Sequence, residues 1–568
     1  MCIRDSVPAA DVNVMIPTGA SNYPTISNSG AVAKNVTVNS SATLTINRDS
    51  DLTLSGNLVN RGTVTLNSDS NEFASIIVEG SSSGNIVYKR YVADEGNDEW
   101  DLIGSPVAGQ GISAFVSANS SIADEGSQYG IGVFSNDGTT DTAAAMYTNY
   151  TTSNVGSAGN FTAGQGYAMA TDEADTPGTT LDFTGTIRTT DLTGVSIDDN
   201  SSNATNFGKW NLVANPFPSY LNANDDAHAS NNFLTVNASN LHASFAAVYG
   251  YDGDGTFTVY NHTSPGSAVY IAPGQGFFVA SDDSGGNTIQ FTEAMQTTSG
   301  SDDFNAENNL LNDTYEVLLR LYQGDLQIEE TRLYFEEGLS LGLDPGYDAG
   351  AFDENAAIMT RLIEDDAGHG LAINAMSTDH MDDVVIPLVI NQDAGQEFRV
   401  NLHTSTIGEV NIYLEDTELQ TLTLLNEEDF VMTPTSDLSD AGRFYIHLTA
   451  DTLSNEEVNT SLLNAYKGVD NNYITIEGLA TQAASTAVSL YNILGTKVMD
   501  TTLDNNTNTQ MISTNGLSTG IYVIKLESGQ SQLTKKLIIN YFNEVFIHLV
   551  ALHHHSFNFF SYQIFHLR

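Results

Sequence analysis

Cysteine is almost missing from this chain: 568 residues hold one, Cys2, inside the opening "MCIRDS". No disulfide can therefore staple the fold, and no thiol is on hand for chemistry elsewhere. Basic residues are scarce as well, 19 Lys and Arg against 70 Asp and Glu, for a formal net charge of −51. Nucleic acids and anionic membranes are bound through basic patches that neutralise phosphate, so neither is an expected partner. No run of 18 apolar residues occurs, and no helix is expected to span a membrane. The first residues lack a basic stretch followed by an apolar one, so the signal peptide of an exported protein is not legible. Residues 1–8 read as a foreign or truncated terminus. His-Glu-x-x-His and P-loop patterns are absent too. A cysteine-poor, acidic chain of this kind suits the outside of a bacterial cell.

What the chain does have is Ser, Thr, Asn, Asp and 47 Gly, set between short alternating apolar runs. That pattern predicts many short strands joined by tight turns, an all-β fold. The length predicts three to five domains. Over 9–90 the pairs Val36/Val38, Leu44/Ile46, Leu52/Leu54 and Val64/Leu66 recur about every 8 to 12 residues, each followed by a turn residue. A short alternating strand buries one side only, so successive strands must stack to share a core. A short parallel β-solenoid is expected, with an antiparallel sandwich as the alternative.

Residues 91–200 and 201–300 read as two copies of one β domain. The only two tryptophans, Trp100 in "WDLIGSPV" and Trp210 in "WNLVANPF", stand 110 residues apart. Pro106 and Pro216 keep that offset, as do Gly164 of "AGQGYAMA" and Gly274 of "PGQGFFVA". Each copy predicts an inward strand opened by Trp, a Pro that ends it, and a Gly-Gln-Gly turn into another apolar strand. Residues 301–450 supply six or so further strands, expected as a β-sandwich with one short helix around "DENAAIMTRLIEDD". Residues 451–466 read as a linker.

From 467 to 540 the charge balance changes, to five basic and five acidic residues, after 13 against 64 in the first 464. "SLYNILGTKVMD" is followed by "GLSTGIYVIKLESGQSQLTKKLII". In this order they resemble the type A C-terminal sorting domain of the bacterial type IX secretion system. The resemblance implies an Ig-like terminal sandwich and entry to the periplasm by a signal peptide. It further implies recognition by the type IX machinery and release or anchoring at the outer-membrane surface or outside the cell. The positions that match its motifs are Tyr491, Leu494, Gly495, Leu517, Gly520, Tyr522, Lys535 and Lys536. Whether the lysines are read by a receptor or only blunt an exposed edge strand stays open. Alternation sets Ile521, Val523 and Lys525 on one face of "IYVIKL" and Tyr522, Ile524 and Leu526 on the other, so a strand sandwiched on both faces is expected. Members of the family end at the Lys-rich strand, whereas here residues 541–568 follow, with 5 of the 12 histidines, including His553, His554 and His555. That tail reads as out-of-frame or extraneous.

No catalytic constellation emerges, and no cofactor is expected beyond calcium. "YDGDGTFTVYNHT" sets Asp252 and Asp254 at calcium-loop spacing, but Phe257 stands where the loop needs Gly, and no Glu closes it. "DEGNDEWD" offers Asp94, Glu95, Asp98 and Glu99, with a solvated loop as the plainer reading. The upstream blocks resemble large bacterial surface proteins. The leading expectation is a secreted surface protein with an adhesive or scaffolding role, and surface polysaccharide or another extracellular glycan as its partner. The alternative is a secreted polysaccharide-degrading enzyme or carbohydrate-binding accessory.

Overall fold

Leu44, Ile46, Val64 and Leu66 are buried while the threonines between them are only half covered, the signature of a strand with one face in a core. In the computed structural model these strands coil into a three-sided parallel solenoid. The structure describes residues 9–539 except 97–99, 137–145, 202–206, 252–256, 263–267, 283–285, 301–302, 304–314, 354, 409, 440, 451–462, 468–472, 493–495, 519 and 530. The described residues divide into two compact units, one up to residue 303 and the other from 315 onward.

In the first unit each turn of the solenoid takes three strands, which answers the 8-to-12-residue spacing. One ladder stacks Asn13–Ile16, Asn35–Val38, Leu58–Asn60 and Ser82–Ser83 in parallel. A second stacks Thr25–Ile26, Thr43–Ile46, Thr63–Leu66 and Ile86–Ala93. The third joins Ala31–Ala33, Asp51–Leu54 and Ser75–Val78. Asparagines at matching positions form their own ladder. Asn35 Nδ2 donates to Asn13 Oδ1 at 2.6 Å, and the Asn57 amide donates to Asn35 Oδ1 at 2.6 Å. Strand Ile86–Ala93 is both the last rung and the start of the next sheet, pairing antiparallel with Gly178–Gly185 over all eight residues. One apolar core runs through the solenoid and the following strands, from Ile16 to Phe183.

Beyond it, Asp101–Ile103 pairs antiparallel with Tyr167–Met169, and Trp210–Ala214 with Gly276–Ala280. Leu102 lies opposite Ala168, and Leu212 opposite Phe278. The two hairpins also pair with each other. The Gly104 amide donates to Gly274 O at 2.8 Å, and the Ala214 amide donates to Gly164 O at 2.9 Å. Bridges Ile103–Gln275 and Gln165–Val213 flank these bonds. Gly164 and Gly274 have φ of 77° and 69°, a left-handed turn that a side chain would strain. Arg90, buried, clamps the unit: its guanidinium sits 4.2 Å from the Phe73 ring centroid and bonds Asp303 at 2.7 Å.

The second unit opens on an eleven-stranded sheet that curls around one core of Val317, Leu319, Leu321, Ile386, Leu388, Val400, Ile412, Leu414 and Ile446. The two layers of the expected sandwich are thus continuous. The short helix expected around 353–366 is not there: Ile358–Thr360 is a strand, paired with Asp383–Ile390, and its three residues are fully buried. Burial on both sides won over the helical spacing of the sequence. The final sandwich begins before residue 467, because Asn464–Lys467, within the stretch read as linker, is its first strand. Strands make up nearly all the regular structure, so the fold is all-β. Among the described residues no helix is long and apolar enough to cross a membrane.

Candidate recognition site in the last sandwich

Two sheets build the last sandwich. Asn464–Lys467, Tyr473–Glu477 and Gln510–Ser513 form the smaller. Lys497–Leu503, Thr486–Asn492, Gly520–Ser528 and Ser531–Ile539 form the larger. Ala465, Ile474, Ile476 and Ile512 face Val488, Leu490, Ile524, Leu526 and Leu537 across a closed core.

Six of the eight expected recognition positions are described, while Leu494 and Gly495 lie outside the described residues. Tyr522 is buried, and its hydroxyl donates to Ser518 O at 2.8 Å and accepts from the Ser518 amide at 3.1 Å, closing the loop that Leu517 packs under. Gly520 starts the next strand opposite Ile539. The left-handed turn before it falls on Gly516, at φ 93°. Tyr491 lies on the outer face of the larger sheet, half-buried, between Lys497 and Val523. Ile521, Val523 and Lys525 share that outer face and remain exposed or half-exposed, so the strand is covered on one side only, not on both. Among the described residues no neighbouring layer packs over Ile521 to complete the expected sandwiching.

The lysines of the last strand point to opposite faces: Lys535 lies opposite Ile524 on the core side, and Lys536 opposite Val523 on the outer side. Lys535 is 5% exposed, and its Nζ donates to Asn464 Oδ1 at 2.9 Å. Burial pushes its pKa down, assisted by Arg361, against the opposing pull of Asp366, Glu477 and Asp365. Lys536, half-exposed, pairs with Asp365 at 3.1 Å. Asn464 belongs to the sandwich's own first strand, and Asp365 to the eleven-stranded body. Arg361 forks onto Asp366 at 3.2 and 2.9 Å and lies 4.5 Å from the Tyr466 ring centroid. Tyr466 donates to Glu477 Oε1 at 2.6 Å, and Asn508 Nδ2 donates to Gly442 O at 2.7 Å. The outer face of the smaller sheet, Asn464, Tyr466, Thr475 and Glu477, is buried against this body. Sequence reasoning missed that contact. The one legible signal was polar residues at alternate positions of "NAYK" and "YITIE", on strands otherwise rich in apolar residues.

Other candidates fare differently. Asp252, Asp254, Asp98, Glu99 and the 541–568 tail lie outside the described residues. Asp94 is buried and accepts from the Gly96 amide at 2.6 Å. Glu95 is pushed up to about 7 by burial first and then by Glu125, Asp172, Glu173 and Asp94. Among the described residues no three His, Cys, Asp or Glu side chains gather to hold a metal.

Two families match the chain. One, described as a domain of unknown function (DUF8693), covers residues 3–448. The other, a secretion system C-terminal sorting domain, covers 470–540 and so includes all eight recognition positions. No curated protein matches.

Proposed function

From the premise that this chain belongs to the DUF8693 family and closes with a secretion-system sorting domain, we propose that it is an adhesive or scaffolding protein of the cell surface. The sorting domain supports its standing as type IX secretion cargo, exported to the cell surface or the extracellular space. The adhesive or scaffolding role is our reading. One observation carries it: strand Ile86–Ala93 belongs at once to the solenoid and to the sheet beyond, so these modules are joined through a shared sheet. A body built this way holds its parts at fixed spacing, which is what a structural protein needs. On the same reading the segments around Trp100 and Trp210 are duplicated copies, supported by their reciprocal Gly104–Gly274 and Ala214–Gly164 bonds. The partner would be a surface polysaccharide or other extracellular glycan.

Purified protein tested on a glycan array, beside a hydrolase screen on the same glycans, addresses the role. Binding without turnover is the expected result, and turnover would replace the reading with an enzymatic one. Export is tested separately. Removing 467–568 should leave the body in the periplasm, and unchanged export after that removal would refute dependence on the sorting domain.

A further inference from the structure

One face of the solenoid repeats its outward side chains from turn to turn. "TLTIN" at 43–47 returns as "TVTLN" at 63–67. Parallel pairing sets Thr43 beside Thr63, and Thr25, Thr45 and Thr65 in a second row. Leu44, Ile46, Val64 and Leu66 between them fill the core, so the threonines are held on the outside. Thr25 and Thr63 are exposed, and the other three half-exposed. Past the strand ends Asn47 Nδ2 donates to Ser27 Oγ at 3.1 Å. Side-chain ladders of this kind oppose the ordinary twist of a sheet. The result is a grid, with neighbouring threonines about 4.8 Å apart across the strands and about 6.7 Å apart along them. Each point of the grid carries one methyl and one hydroxyl.

We propose that this face binds ice. Hydroxyls at these intervals stand close to the spacing of oxygens on a crystal face of ice, and the methyls beside them order the first layer of water. The strands Thr25–Ile26, Thr43–Ile46 and Thr63–Leu66 bear no charged residue, in a chain of net charge −51, so the surface suits an uncharged partner. They bear no aromatic ring either, the platform on which a sugar would stack. Farther along the same sheet Lys89 and Asp182 neutralise each other at 2.7 Å. Arg48, past the strand end, is held by Asp69 and Glu72, and Arg61 stands at the preceding bend. A crystal lattice meets all five threonines at once. The proposal adds an activity to the surface role and does not depend on it.

The test uses the purified full chain and ice itself. The protein should slow ice recrystallisation and enter a slowly growing ice front, where an unrelated acidic protein is excluded. Thr45→Tyr, at the centre of the grid, should raise the concentration needed to halt recrystallisation at least tenfold, with melting temperature unchanged. Thr63→Tyr, at a more exposed position of the same face, should do the same. Thr37→Tyr, at an outward position on the neighbouring ladder, should leave that concentration within twofold. Absence of both ice activities in the parent chain, or full activity in Thr45→Tyr and Thr63→Tyr, would overturn the assignment. An equal loss in Thr37→Tyr at unchanged stability would also overturn it, because the effect would not belong to this face. Capture on a glycan array that Thr45→Tyr abolishes, without ice activity, would give the face to a sugar instead.

Discussion

At the scale of single residues, the glycines of the two Gly-Gln-Gly turns are set by what stands next to them. A Cβ added at Gly276 would come within 2.8 Å of Leu102 backbone atoms, whereas one at Gly166 would meet first the Leu212 side chain, at 2.7 Å. A side chain can shift and a paired strand cannot. Gly276→Ala should therefore cost on the order of 1–3 kcal/mol in chemical denaturation, and Gly166→Ala distinctly less. Acidic residues give a second expectation. Burial raises Asp348 to about 7, despite amides of Asp344 and Ala375 that favour its charged form, and Glu95 is also raised to about 7. Between the unfolded value near 4 and about 7, the native state binds more protons than the unfolded chain, so stability falls as pH rises through this window. Melting temperature should climb as pH is lowered from 8 toward 5. Glu95→Gln should flatten part of that slope, because it removes a charge held near four others.

Among elements, the solenoid was the most legible part of the sequence. Its period-2 pairs point inward as expected, because a one-residue slip would expose every one of them. Leu54→Ala, at a fully buried rung, should cost about 2–5 kcal/mol. Asn35→Ala should cost less, about 1 kcal/mol per bond, since it breaks two exposed links of the asparagine ladder; urea melts would rank the two. Alternation also put Tyr522, Ile524 and Leu526 on one face, without showing which of the two faces meets the core. Two features could not be read. The strand Ile358–Thr360 sits in a segment with helical spacing, and its state is decided by its pairing with Asp383–Ile390 and, at Thr360, with Leu371. The seat of Lys535 depends on Arg361 and Asp366, some 170 residues upstream, and no local pattern encodes such a contact. The motif named the recognition residues without showing that Lys535 turns in to Asn464 while Lys536 reaches Asp365.

For the molecule as a whole, charge is the dominant fact. With −51 on 568 residues the exterior repels itself, and the sorting domain alone is neutral. Raising ionic strength from about 10 mM to about 150 mM shortens the screening length from roughly 30 to 8 Å. The full chain should gain melting temperature over that range, most of it before physiological salt, as scanning calorimetry would show. The shared strand Ile86–Ala93 has a mechanical consequence as well. A tensile load passing along the chain would enter an eight-residue antiparallel ladder on one side and the solenoid rung on the other, loading their hydrogen bonds side by side in shear. There is no slack tether at this junction to lengthen first, so it should resist pulling until many bonds give way together.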